Sequence, residues 1–544
     1  MALALRALEM HGQRMWESER VVRTLSFMQR HAMTDLVLHE SDLVHQVVYP
    51  REYFDPYALW SDLPSRRGEN AIFNRRAYLD HVIALAREAA VRVWVNVKEI
   101  GFSDEVLAIH PEVFKHGAIC PSEPFWNEYV HAKTDELFTD FGGLAGMIVS
   151  MGSQESRTSR AQNRCHCALC EREPLTAWYA RLVSVMHAAA TRHGKRVAVR
   201  DFAYKPADHE PLIAAMAQAP ADVIFCLKAM PHDFYVTFPD NPAIVRRTRP
   251  QWIEYDVMGQ FFGWGVMPCF VLEDLRARVP RWLDAGIEGA IFRIEWERIN
   301  DLDALDTLNE TNLVAAAALA RGEDIDAVEV CRRWLASRSW DGRAAPWLAG
   351  ILERTLPIVR AAAYINDFVS ADNSMLPRSI QRAWWGMESR DALAVWDPSR
   401  AADLDLDRDK LARYLAEKEH ALAAARALVR DVRAPAAGVD PDVHASIEAQ
   451  FAFYDTWIEG LAITARVCLY ARWAARPSDV TAADLEAFDA ALRELERYAT
   501  RAKAIAADSR IPHQVIMLVD PRRALDVLRE GRQSLDAARA LSSA

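Results

Sequence analysis

The chain has 544 residues, 51% hydrophobic and 26% charged, enough apolar material for a large buried core in two or three domains, which excludes a disordered assembly. Its formal net charge of −11 leaves no basic surface that would neutralise phosphates, so nucleic acid is excluded as a partner and an anionic ligand needs locally placed Arg or Lys. No charge-free run of about 18 apolar residues occurs, and the opening Met1-Ala-Leu-Ala-Leu-Arg6 is too short for a signal core, so the expectation is a cytoplasmic protein with no membrane partner.

Eight short β-branched runs alternate with helical patterns through the first part of the chain. They are Arg6–Met10, Asp35–His39, Arg92–Val97, Ala145–Met151, Arg196–Asp201, Val223–Lys228, Trp252–Val257 and Gly289–Ile294. Amphipathic stretches such as Glu19 to Arg30 separate most of them. Eight such units with no Gly-x-Gly-x-x-Gly turn predict an α/β fold, a (β/α)8 TIM barrel over residues 1–320, rather than an open nucleotide-binding sheet. Residues 321–544 are rich in Ala, Arg, Leu and Glu at helical spacing, for example Asp409 to Val432 and Ala482 to Ala507. They predict an all-α C-terminal domain, with Trp384, Trp385 and Trp457 as candidates to complete a pocket or to form a homodimer interface.

In a barrel of this kind the C-terminal strand ends face the active site. Read in order, they offer His11, then His39, then Asn96, Lys98 and Glu99, then Glu155. The later four strands add Arg200 and Tyr204, Lys228 and Asp233, Glu254, Asp256 and Gln260, and finally Arg293, Glu295, Trp296 and Glu297. Ionisable groups at nearly every end exceed what a packed core tolerates without pairing. Salt-bridged strand ends are the plain alternative for any single residue, and His11 and His39 fit hydrogen-bonding core positions equally well. Taken as a set with aromatic neighbours Trp94, Phe202, Tyr204, Tyr255, Phe261, Phe262, Trp264 and Trp296, the carboxylates point to a sugar: aromatic faces stack on pyranose rings, and a carboxylate pair supplies acid and base.

Four of the eight cysteines, Cys226, Cys269, Cys331 and Cys468, sit singly in apolar segments. The run Cys165-His-Cys167-Ala-Leu-Cys170 differs, because thiolates at that spacing can face one Zn²⁺, with Cys120 as the fourth ligand and His166 in reserve. Free thiols or a disulfide are the competing reading. A four-thiolate zinc would be structural, so no cofactor is expected in catalysis.

The segments Glu9-Met-His-Gly12, His39-Glu-Ser-Asp42 and Val149-Ser-Met-Gly-Ser-Gln-Glu155 resemble the first, second and fourth strand ends of family 20 hexosaminidases. From residue 145 to about 336 the chain is more similar to the family 67 alpha-glucuronidases. Val199-Arg-Asp-Phe-Ala-Tyr204, Lys228-Ala-Met-Pro-His-Asp-Phe234 and Glu254-Tyr-Asp-Val-Met-Gly-Gln-Phe-Phe-Gly263 match that family's strand-five to strand-seven motifs. The resemblance implies Glu155 as general acid, Asp233 as a base-side carboxylate, and Arg200 with Lys228 as a clamp on a uronic acid carboxylate. It departs at Gln260, which stands where the family has a second base, so that Asp233 acts alone with inversion, or Glu254, Asp256 or Glu295 replaces the missing group. Glu155 also aligns only after a one-residue shift, and the N-terminal β-domain of these families is not seen before strand one. The implied activity is exo-cleavage of a terminal uronic acid from a short, imported oligosaccharide or glycoside. A hexosaminidase-like exo-glycosidase is the rival, weakened by Gln154 in place of that family's Asp. A catalytically inactive carbohydrate-binding barrel is the third reading.

Overall fold

The computed structural model describes residues 2–40, 43–54, 71–115, 117–152, 156–161, 164–244, 249–296, 302–389, 392–434, 436–476 and 479–542. Eight strands form a closed, all-parallel barrel: β1 (Leu5–Met10), β2 (Asp35–Leu38), β3 (Arg92–Lys98), β4 (Leu144–Ser150), β5 (Arg196–Arg200), β6 (Ile224–Lys228), β7 (Gln251–Asp256) and β8 (Gly289–Arg293). Each pairs with its sequence neighbours, and β1 closes on β8 with Glu9 beside Arg293. All eight coincide with the β-branched runs, because strands buried on both faces read as unbroken apolar segments.

The outer helices are α1 (Ser18–Arg30), α2 (Ala71–Glu88), α3 (Phe125–Asp140), α4 (Leu175–Thr191), α5 (Pro206–Gln218), α6 (Leu272–Asp284) and α7 (Glu310–Ala320). In α1 the buried residues Val21, Leu25 and Met28 recur at helical spacing and form its inner face. Between β6 and β7 the described residues form turns rather than a helix, a departure from the expected eight-fold alternation. Pro231, Pro239 and Pro242 account for it, since each lacks an N–H and bars a continuous helix.

Inward-facing side chains stack in tiers. Leu5, Ala7, Val37, Trp94, Ile148, Ala198, Ile224, Cys226, Trp252 and Ile291 form one buried cluster. Trp94 and Trp252 meet edge to face at 5.0 Å although β3 and β7 are not neighbours, so the contact crosses the barrel interior. Glycine makes room for both rings: a Cβ at Gly146 would lie 2.5 Å from Trp94, and one at Gly289 would lie 2.8 Å from Trp252. Trp94 therefore plugs the barrel, and its Nε1 donates to Asp35 at 2.8 Å. Tyr255 alternates outward and donates its hydroxyl to Asp274 of α6 at 2.7 Å. Neither ring is the pocket aromatic expected from sequence.

Beyond residue 320 the described residues are mostly helical, with a hairpin of Tyr364–Ile365 and Phe368–Val369. Its four longest helices, α8 (Arg408–Arg433), α9 (Tyr454–Ala474), α10 (Ala482–Ala506) and α11 (Pro521–Ser542), pack on one another. The main apolar core runs without a break from the barrel into this region and includes Leu36, Leu313, Tyr414 and Trp457. Helix α7 is buried on every residue, sandwiched between barrel and helices. Trp384 and Trp457 belong to this packing, donating to the carbonyls of Cys468 and Ser374, and Trp385 is 43% exposed. No helix of the described residues is long and apolar enough to cross a membrane.

Candidate active site at the barrel mouth

Directly above the apolar tier, the next inward positions become polar on all eight strands: Glu9, His39, Asn96 with Lys98, Ser150, Arg200, Lys228, Glu254 and Arg293. All are buried, and burial of so many polar groups requires that they be paired. Arg200 grips Glu254 in a two-point contact through Nε and Nη2, the latter at 2.7 Å. Arg293 reaches the same carboxylate at 3.4 Å, donates to Gln260 Oε1 at 2.9 Å, and lies 4.6 Å over the Phe234 ring. Gln260 then donates to Asn373 Oδ1 of the helical region at 3.1 Å.

Lys228 is 1% exposed and donates from Nζ to the His232 carbonyl and to Asp233, both at 3.0 Å, with the Phe202 and Phe234 rings 4.1 and 4.6 Å away. Asp233 keeps 15% of its side chain exposed, which sets it apart from the sealed Glu254. Burial alone would raise its pKa, but Lys228, His232 and Arg293 outweigh that and hold the carboxyl below its ordinary range. The two cations expected to clamp a substrate carboxylate thus each have an internal carboxylate partner, Glu254 for Arg200 and Asp233 for Lys228.

Across the mouth, His39 Nδ1 lies 2.5 Å and His11 Nδ1 3.1 Å from Glu9 Oε1, with the imidazoles stacked at 3.6 Å. Burial would raise the Glu9 pKa, but His11, Arg293 and Arg200 bring it to about 2. Burial, His11 and Lys98 push His39 well below its usual value, so its ring is neutral. This trio is compact enough for a metal, yet Lys98 Nζ lies 3.5 Å from His39 Nε2 and puts a cation on the outer edge of the group. It reads as a hydrogen-bonded floor, not a metal centre.

The remaining carboxylates divide by partner. Asp256 accepts the backbone N–H groups of Met258, Gly259 and Gln260 at 3.0, 3.1 and 2.8 Å, which makes it the acceptor that builds the turn after β7 rather than a group open to substrate. Glu99 accepts from the Gly152 N–H at 2.6 Å, its own N–H donates to Ser156 Oγ at 3.3 Å, and burial pushes its pKa up to about 7. Glu295 is sealed at 0% exposure beside Gly12, and burial with Asp303 nearby raises it to about 8. Glu155 and Glu297 lie outside the described residues. The flanks of the Glu155 segment, Gly152 and Ser156, are the two groups bonded to Glu99. Phe202 and Tyr204 sit half-buried at the mouth, where Tyr204 packs on His232 at 4.8 Å, and half-buried Trp296 meets Trp264 edge to face at 4.8 Å.

Sequence reasoning did not single out Glu9 as a site residue, although a Glu alternating with Ala7 and His11 inside an apolar strand was the available signal. Asn373 had none, since its place depends on how the helical region docks.

Away from the mouth, Cys120, Cys165, Cys167 and Cys170 converge, their four sulfurs all within 4.8 Å of one another and all buried.

No family model and no curated protein matches the chain. Among solved structures, a GH138 enzyme targeting pectin rhamnogalacturonan II aligns with 100% of this chain and 84% of its own, at 11% identity and a TM-score of 0.64. The Thermobaculum terrenum O-GlcNAc hydrolase aligns over 99% and 95% of the two chains at 11% identity, with a TM-score of 0.46. A beta-N-acetylhexosaminidase from Bacteroides fragilis aligns over 62% and 70% at 12% identity, with a TM-score of 0.43. The first likeness shows a shared fold that extends through barrel and helical region together.

Proposed function

We propose that the chain is an exo-acting glycoside hydrolase that removes a terminal uronic acid from a short oligosaccharide or glycoside. The observation that carries this reading is the polar tier: a ring of buried polar and charged groups, walled by Phe202, Tyr204, Phe234 and Trp296, beside which Asp233 is a carboxylate left partly open among the described residues. Four cations from four strands, Lys98, Arg200, Lys228 and Arg293, stand at this mouth as candidate partners for a uronate, three of them already facing the carboxylates of Glu254 and Asp233. Arg200 and Lys228 remain the proposed uronate contacts, with their internal carboxylates holding them in place before substrate arrives. The fold shared with an enzyme that targets pectin rhamnogalacturonan II adds support.

In this mechanism Glu155 protonates the leaving oxygen, and Asp233 takes a proton from the attacking water. Its depressed pKa keeps it ionised for that role. Gln260 cannot accept a proton, and its amide joins Arg293 to Asn373, so this scheme assigns Asp233 as the sole base, activating water with inversion at the anomeric centre. Proton NMR of an aryl uronoside digest tests the scheme: the first free sugar should carry the anomeric configuration opposite to the substrate's. A product retaining it would overturn inversion, and binding of free uronic acid with no hydrolysis would leave a carbohydrate-binding barrel.

A further inference from the structure

Cys120 arrives on the connection from β3 to β4, and Cys165, Cys167 and Cys170 on the connection from β4 to β5. Their closeness is therefore a product of the fold and not of sequence spacing alone. Cys120 Sγ lies 3.5 Å from both Cys167 Sγ and Cys170 Sγ. A tetrahedral Zn²⁺ with four thiolates at about 2.3 Å sets its sulfurs roughly 3.8 Å apart, close to what is found. The four side chains form a buried cluster of their own, packed against Ala118 and Leu169 and separate from the main core.

We propose that Cys120, Cys165, Cys167 and Cys170 bind one structural zinc ion. With all four positions taken by sulfur it has no place for water or substrate, so it takes no part in the hydrolysis. Its task is to fasten two barrel loops to each other. The second of those loops is the one that carries the segment of Glu155, and the bridge between Ile100 and Thr158 ties the same two loops on the mouth side.

The test uses the full chain purified without chelator. Elemental analysis should find about one zinc per chain, released as the thiols are titrated with an organomercurial while a chromogenic chelator reports the free metal. Replacing zinc with Co²⁺ should give the intense visible bands of a tetrahedral thiolate site, a signal independent of activity. Zinc well below one per chain together with absent cobalt bands would overturn the proposal, as would mass spectrometry showing these cysteines joined in disulfides in the freshly purified protein.

Discussion

Glu295 holds both carboxylate oxygens in a sealed position, and neither has a hydrogen-bond partner among the described residues. Burial, with Asp303 adding to it and Arg14 and Arg20 opposing, raises its pKa from 4.5 to about 8. Below about pH 4.5 the carboxyl is protonated in both folded and unfolded chains and contributes no pH dependence. Between about 4.5 and 8 the unfolded chain ionises it and the folded one does not, so stability falls as pH rises; above about 8 both are ionised and the effect levels off. The loss is on the order of 4 kcal/mol across that window. A Glu295→Gln variant should therefore gain about 3 °C in Tm over the parent between pH 5 and pH 8.5, read by calorimetry, and a gap that does not change with pH would refute this account of the burial. That Glu295 belongs to a strand end was legible from its alternation with Arg293. Its lack of a partner was not, because partners at a barrel mouth come from strands remote in sequence. The same holds for Arg200 and Lys228: residue type and position pointed to the mouth, and only the register showed Glu254 and Asp233 facing them.

At the scale of elements, the eight strands were readable because both their faces are buried and hydrophobic runs mark them directly. The segment after β6 was not, since Lys228-Ala-Met-Pro leads into turns stabilised by tertiary contacts. Asp201, for example, accepts from the Lys228 N–H at 2.8 Å and from Asn241 Nδ2 at 2.9 Å. The turn after β7 is organised by Asp256 in the same way. Replacing Asp256 with Ala leaves three N–H groups without their acceptor and should cost roughly 2 to 4 kcal/mol, seen as a lower urea midpoint. Asp256→Asn, which keeps one carbonyl oxygen in place, should lose less. If the alanine variant matches the parent, the turn does not depend on this carboxylate.

The whole molecule joins two regions that the sequence divides at residue 320 by composition, and packing runs across that line. Ser374 Oγ accepts from the Gly263 N–H at 2.9 Å and donates to the Gln260 carbonyl at 2.8 Å, and the Trp457 ring holds the Ser374 carbonyl from the other side at 2.8 Å. The helical region thus fixes the turn that carries Gln260, a contact no local pattern in either segment announces. Barrel and helices should unfold in one calorimetric transition, and a chain ending at residue 320 should fail to fold, since α7 would lose the cover on its outer face. Two separated transitions would contradict a shared core. The same docking completes the mouth that is proposed to read a uronate, and substrate preference tests that claim most directly. Initial rates on matched aryl α- and β-glycosides of glucuronic acid, glucose and N-acetylglucosamine should give a kcat/KM for one glucuronide at least about 100-fold above that for the corresponding glucoside. Faster cleavage of the glucoside or of the N-acetylglucosaminide would contradict the account.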